Sequence, residues 1–123
     1  MADLHESLVR SFRRRVIKGG LKEAKSPMPS YRPDIFAQKL GRNGFVVEQL
    51  AVEAEIASTL FSEHTSEQLL KLDEFMAHQK RKKIKIRGYL IIPRGKVPRN
   101  HAGLVLSGLF PNGTPIQIME TGQ

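Results

Sequence analysis

At 123 residues the chain has room for one domain with a sizeable core and too little for two. A hydrophobic fraction of 40% and a charged fraction of 26% suit a soluble globular protein rather than a disordered one. Lys and Arg total 20 against 12 Asp and Glu, so the formal charge of +8 points to polyanionic partners, either nucleic acid or an anionic membrane surface. No apolar run approaches the ~20 residues of a membrane span, and the first residues lack the layout of a secretory signal. The lack of cysteine excludes disulfides and thiolate metal sites, and a cytoplasmic location is expected.

Residues 3 to 18 read as a helix, with Leu4, Leu8, Val9, Phe12 and Val16 at helical spacing, Asp3 as a cap and Gly19-Gly20 as a stop. Arg10, Arg13, Arg14, Arg15 and Lys18 crowd its C-terminal half, where cations suit the helix dipole. Such a run is either a solvated face or a set of phosphate contacts. Residues 22 to 30, with Pro27, Pro29 and serines, read as a loop or a frayed edge strand. A strand is predicted from Tyr31 to Gln38, and Gly41-Arg42-Asn43-Gly44 reads as a turn.

Phe45 to Ile56 divides the two periods. Phe45, Val46 and Val47 favour a strand, whereas Glu48 to Leu60 is rich enough in Ala, Glu and Leu to form a helix. The alternation of Val52, Ala54 and Ile56 with Glu53 and Glu55, after a hairpin turn, favours the strand. On a strand Glu53 and Glu55 share a face; on a helix they do not.

A second helix is expected behind a Thr65 or Ser66 cap, with Leu69, Leu70, Leu72, Phe75 and Met76 as its stripe and Lys80 to Lys83 at its end. Ile84 to Ile92 begins by alternating and becomes continuously apolar, as a central strand buried on both faces does. Arg94 to Arg99 reads as a basic loop and His101 to Phe110 as a short helix. Pro111-Asn112-Gly113 then makes a turn before a last strand from Pro115 to Met119. The expected fold class is α/β, a mixed sheet of four to five strands flanked by helices.

Asp34 follows the X-Pro step at Pro33. With Glu53 and Glu55 on an adjacent strand, three carboxylates would converge on one point. Crowded carboxylates resist joint ionisation unless a cation neutralises them. Hard divalent cations take oxygen ligands, commonly one or two carboxylates plus substrate phosphates. An acidic spot in a basic chain is what metal-dependent chemistry on nucleic acid requires.

The pattern Pro33-Asp34-Ile35, then Val52-Glu53-Ala54-Glu55, then a helix and an apolar strand ending at Pro93, resembles the PD-(D/E)xK nuclease superfamily. The likeness spans most of the chain, and among its members the small Holliday junction resolvases and the Mrr-type and VRR-type nucleases look most similar. It implies a restriction-endonuclease-like core of helix, three-strand meander, helix and strand. It also implies Mg2+-dependent (or Mn2+-dependent) hydrolysis of DNA, with Asp34 and Glu53 as metal ligands and Glu6 of the first helix as an additional one. The family usually has lysine where this chain has Glu55. Some restriction enzymes carry Glu-x-Glu, so Glu55 is assigned as third ligand or as the group that orients the attacking water. Gln68 looks similar to a glutamine found in several branches, and Lys71, a turn further on, is placed to restore the cationic role; both also read as water-facing residues of an amphipathic helix.

Arg13, Arg14, Lys18, Arg94 and Lys96 are assigned to a phosphate backbone, with Gln68 and Lys71 as further contacts. With aromatic residues at 7% and no Trp, duplex or branched DNA is a better expectation than a stacked single strand. The four histidines lack the paired spacing of a zinc site. A basic domain this small suggests a homodimer on DNA, with no membrane partner. Two alternatives stand beside the nuclease: an inactive nucleic-acid-binding protein with the same fold, or an interaction module if residues 48 to 60 are helical.

Overall fold

The computed structural model describes residues 4–107 and 110–121, so the Asp3 cap and part of the expected third helix, Gly108 and Leu109, lie outside the described residues. Within them the chain forms α1 (Leu4–Lys18), β1 (Lys22–Glu23), β2 (Ile35–Leu40), β3 (Val46–Ala54), α2 (Glu63–Arg81), β4 (Lys85–Pro93), α3 (Arg99–Leu106) and β5 (Gln117–Thr121). The protein is α/β, with one five-stranded mixed sheet in the order β1-β2-β3-β4-β5. The first three strands form an antiparallel meander, and β4 and β5 are added in parallel.

This order decides which faces the helices cover. Successive right-handed crossovers that move across a sheet in one direction leave their helices on the same face. Accordingly α2 and α3 share one face, where Leu69, Leu72, Phe75 and Met76 pack with Phe36, Ala51 and Ile86, and Ala102 packs with Leu90 and Ile92. The opposite face is left to α1, whose Leu8, Phe12 and Val16 meet Ile35, Leu50, Val52, Tyr89 and Ile91. Burying each such side chain contributes on the order of 2 kcal/mol. Gly88 lets α2 lie close on β4, because a Cβ there would collide with the Met76 sulfur.

The structure moves several boundaries. Of the expected loop or frayed edge strand over 22 to 30, Lys22 and Glu23 form a short edge strand against Gln38 and Ala37. The strand expected from Tyr31 begins only at Ile35; residues 31–34 cross the end of the sheet instead, consistent with the bias of Arg32 away from helix before Pro33. Strand β3 confirms the pleated assignment over 46–54 and removes the premise of the helical interaction module, while Glu55 falls just beyond its end. The cap of α2 is Ser62, whose hydroxyl accepts from the Thr65 N–H, rather than Thr65 or Ser66. The third helix spans Arg99–Leu106 rather than 101–110, and the last strand is shifted to Gln117–Thr121. None of the helices among the described residues is long and apolar enough to cross a membrane.

Candidate active site

Strands β3, β4 and β5 run in the same direction, so their carboxyl ends share one edge of the sheet, the edge at which open α/β sheets bind ligands. The acidic residues lie there. Asp34 sits at the bend before β2 and is pinned across the end of β3. Its N–H donates to the Val52 carbonyl at 3.0 Å, and its Oδ2 accepts from the Ala54 N–H at 2.8 Å. Glu53, the penultimate residue of β3, points to the α2 side with Gln49 and Ala51. Glu55 follows the strand but extends its pairing, since its N–H donates to the Ile91 carbonyl at 3.0 Å.

Each carboxylate is held through one oxygen. Tyr31, fully buried, donates its hydroxyl to Glu53 Oε2 at 2.6 Å. Thr59, from the turn that leads to α2, donates to Glu55 Oε2 at 2.6 Å. His5 Nε2 lies 3.4 Å from Asp34 Oδ2. The contact from the first helix to Asp34 is therefore made by His5; Glu6, the expected ligand, is exposed on the same turn.

The electrostatics reflect burial and crowding. Burial pushes the Glu53 carboxyl up to about 8; the Tyr31 hydrogen bond opposes this, and the charges of Asp34 and Glu55 add to it. Glu55 is also raised, first by burial and then by Asp34, against hydrogen bonds from Thr59 and Thr65. Tyr31 is raised well above its ordinary value by burial and by Glu53. Both buried glutamates therefore lean toward the protonated form, and a cation favours the carboxylate form of an acid it binds. Oxygen donors of this kind fit a hard divalent cation. Among the described residues, however, no group of three or more His, Asp or Glu side chains is arranged to hold a metal ion as the chain stands. Tyr31, Thr59 and the Ala54 N–H each hold one oxygen of an acid.

The expected backbone-binding residues separate into groups. Arg14, Arg94 and Lys96 converge, with Arg10, on a cleft beside α1. Arg13 instead pairs with Glu23 at 2.6 Å. Lys18 ends α1, roughly 20 Å along the helix from His5 at 1.5 Å per residue. Gln68 donates to the Arg32 carbonyl at 3.3 Å and so braces the loop that carries Asp34. Lys71 has no hydrogen bond or ion pair to the carboxylates among the described residues.

Sequence reasoning passed over Tyr31, Thr59 and the hydroxyls of Ser11 and Thr121 as functional residues, and named Arg10 only within the basic run of the first helix. Only Tyr31 carried a signal, as an aromatic three residues before Asp34; the others are brought in by tertiary contact. The chain thus forms an α/β domain with an acidic corner at the carboxyl edge of its parallel strands. It matches no protein-family model, no curated protein and no solved structure.

Proposed function

We propose that the protein is a Mg2+-dependent endonuclease that hydrolyses phosphodiester bonds in DNA, directed by DNA structure or only weakly by sequence. The observation that carries this reading is the trio Asp34, Glu53 and Glu55 at the carboxyl edge of the sheet, two of them buried and both raised above the ordinary carboxylate range by burial and by the charge of Asp34. The succession of helix, antiparallel three-strand meander, helix and parallel strand supports it, being the order that the PD-(D/E)xK resemblance implies.

In this reading Asp34 and Glu53 hold the ion, and Glu6 lies on the helix that delivers His5 to Asp34. A divalent ion supplies Lewis acidity toward a phosphoryl oxygen and stabilises the leaving oxygen. Glu55, raised toward neutrality and steadied by Thr59, accepts the proton of the water whose oxygen bonds to phosphorus as the P–O bond to the leaving strand breaks. Gln68 keeps the Asp34 loop in place through Arg32. Two copies related by a twofold axis would grip the arms of a duplex or branched DNA, which the mass of the protein in solution checks.

Incubation of the protein with duplex, nicked and four-way-junction DNA in Mg2+ or Mn2+ tests the proposal, with Asp34→Ala and Glu53→Ala as controls. Cleavage by the parent and none by folded variants is expected; no cleavage of any substrate rejects the activity. A second reading, an inactive nucleic-acid-binding protein with this fold, is favoured by one observation: the three acids are not arranged as a ready ligand set. DNA binding indifferent to both Mg2+ and Asp34→Ala would select it.

A further inference from the structure

Beside the acidic corner, the first turns of α1 and the turn after β4 enclose a cleft of about 250 Å³ lined by Leu4, Ser7, Leu8, Arg10, Ser11, Arg14, Pro93, Arg94, Lys96 and Thr121. Four of its walls are cationic and none is acidic. Elsewhere cations with a neighbouring acid are paired, as Arg13 is with Glu23 and Arg87 with Glu48. No ion pair among the described residues involves Arg10, Arg14, Arg94 or Lys96. Like charges gathered in a concave wall repel one another, and an anion relieves that repulsion.

The cleft is built rather than incidental. Leu4, Ser7, Ser11 and Arg14 recur at intervals of three and four, one stripe of α1. The opposite wall is a tight turn fixed at both ends: Arg94 N–H donates to the Thr121 carbonyl at 3.0 Å, and the Lys96 and Val97 N–H groups return to the Pro93 carbonyl at 3.2 and 3.3 Å. Gly95 takes φ +77° in this turn, which a side chain would resist, and buried Val97 anchors its far side. Arg94 and Lys96 are thereby held on either side of Gly95. Thr121, only 1% exposed, brings its hydroxyl to 3.3 Å from that of Ser11, a pair that adds neutral hydrogen-bonding groups to the cationic walls. Leu4 and Leu8 line the cleft while His5 between them touches Asp34, so cleft and acidic corner share one turn of helix.

We infer that this cleft is a phosphate subsite for a nucleic-acid strand, seating a backbone phosphate a short distance from the acidic corner. The inference rests on the nuclease reading for its ligand but not for its binding. Arginines take phosphate oxygens two at a time, while the lysine adds a point charge. A terminal or internal phosphate seated there would fix which bond of the strand is presented to Asp34, Glu53 and Glu55.

The test is fluorescence anisotropy of a labelled DNA duplex with the full chain in EDTA, over a salt series. The Arg94→Gln, Lys96→Gln double variant should weaken binding about tenfold or more and flatten the slope of log affinity against log salt by about one. Arg10→Gln with Arg14→Gln should do the same, and Arg87→Gln, whose charge is already paired, should do neither. Unchanged affinity and slope in both cleft variants would overturn the subsite even if the parent cleaves DNA. Cleft-dependent binding by a parent that never cleaves would keep the subsite and sink the nuclease. Equal losses in Arg87→Gln would also overturn the inference, since they would show a diffuse charge effect.

Discussion

Glu53 and Asp73 are both closed to solvent, at 3% and 0% exposure, yet they titrate in opposite directions. Burial pushes Glu53 up to about 8, with a single hydrogen bond, from Tyr31, set against it. Burial raises Asp73 as well, but its Oδ1 accepts from the Thr114 N–H and hydroxyl at 3.0 and 2.7 Å. Its Oδ2 accepts from the Asn112 N–H and Nδ2 at 3.0 Å each, and the net effect is a lowered pKa. Asp73 has its charge satisfied by the loop it clamps against α2. Glu53 has one donor and two acidic neighbours. A buried acid with four donors is a structural pin, whereas one crowded by other acids has no such compensation for its charge within the fold.

Paired substitutions break or sharpen that contrast. The largest effect is expected from Glu53→Gln, which preserves shape and the Tyr31 hydrogen bond: DNA cleavage should fall by more than the ~100-fold typical of residues that only support a metal ligand, in a gel assay with Mg2+. Asp73→Asn should keep the cleavage rate per folded molecule. Next, Asp73→Ala should lower stability by about 3 kcal/mol in urea unfolding, because four donors lose a charged acceptor; a loss below about 1 kcal/mol would mean the loop finds other partners.

The two acids also predict opposite pH slopes. For Glu53 the folded pKa of about 8 lies above that of the unfolded chain. Its favourable contribution is therefore full below the ordinary glutamate range and is lost as pH rises through about 8. For Asp73 the folded pKa is depressed, so its contribution is present above the ordinary aspartate range and is lost as pH falls through the lowered value. The unfolding free energy from urea titrations should decline from pH 5 to 8, by on the order of 3 kcal/mol, and Glu53→Gln should flatten that limb while leaving the acid limb intact. The smallest effect is Tyr31→Phe. Loss of the hydroxyl should raise Glu53 further, cost about 1 kcal/mol and weaken Mg2+ binding several-fold at pH 7, with recovery as pH rises. Titration calorimetry in Mg2+ measures it, and an unchanged affinity would detach Tyr31 from the site.

Much of this was legible along the chain because it depends on local periodicity. The alternation across Val52 to Ile56 against Glu53 and Glu55 identified a strand despite strong helix formers, and the apolar run before Pro93 identified the buried centre of the sheet. Asp34, Glu53 and Glu55 were picked out by that pattern, although Asp34 proved to lie before its strand and Glu55 after its own. The contacts that decide their chemistry span larger separations: Tyr31 to Glu53 across 22 residues, Asp73 to Thr114 across 41, Ser11 to Thr121 across 110. No sequence period encodes pairings of that length.

The residues themselves, by their spacing and charge, determined the α/β class, the pleated acidic segment and the strongly basic balance of the chain. Tertiary structure alone decided which carboxyl burial raises most, which acid becomes a clamp, and which four of the many basic residues face a common hollow. The reason is that burial and donor count belong to a folded neighbourhood, where a group's ionisation answers to atoms contributed by distant parts of the chain.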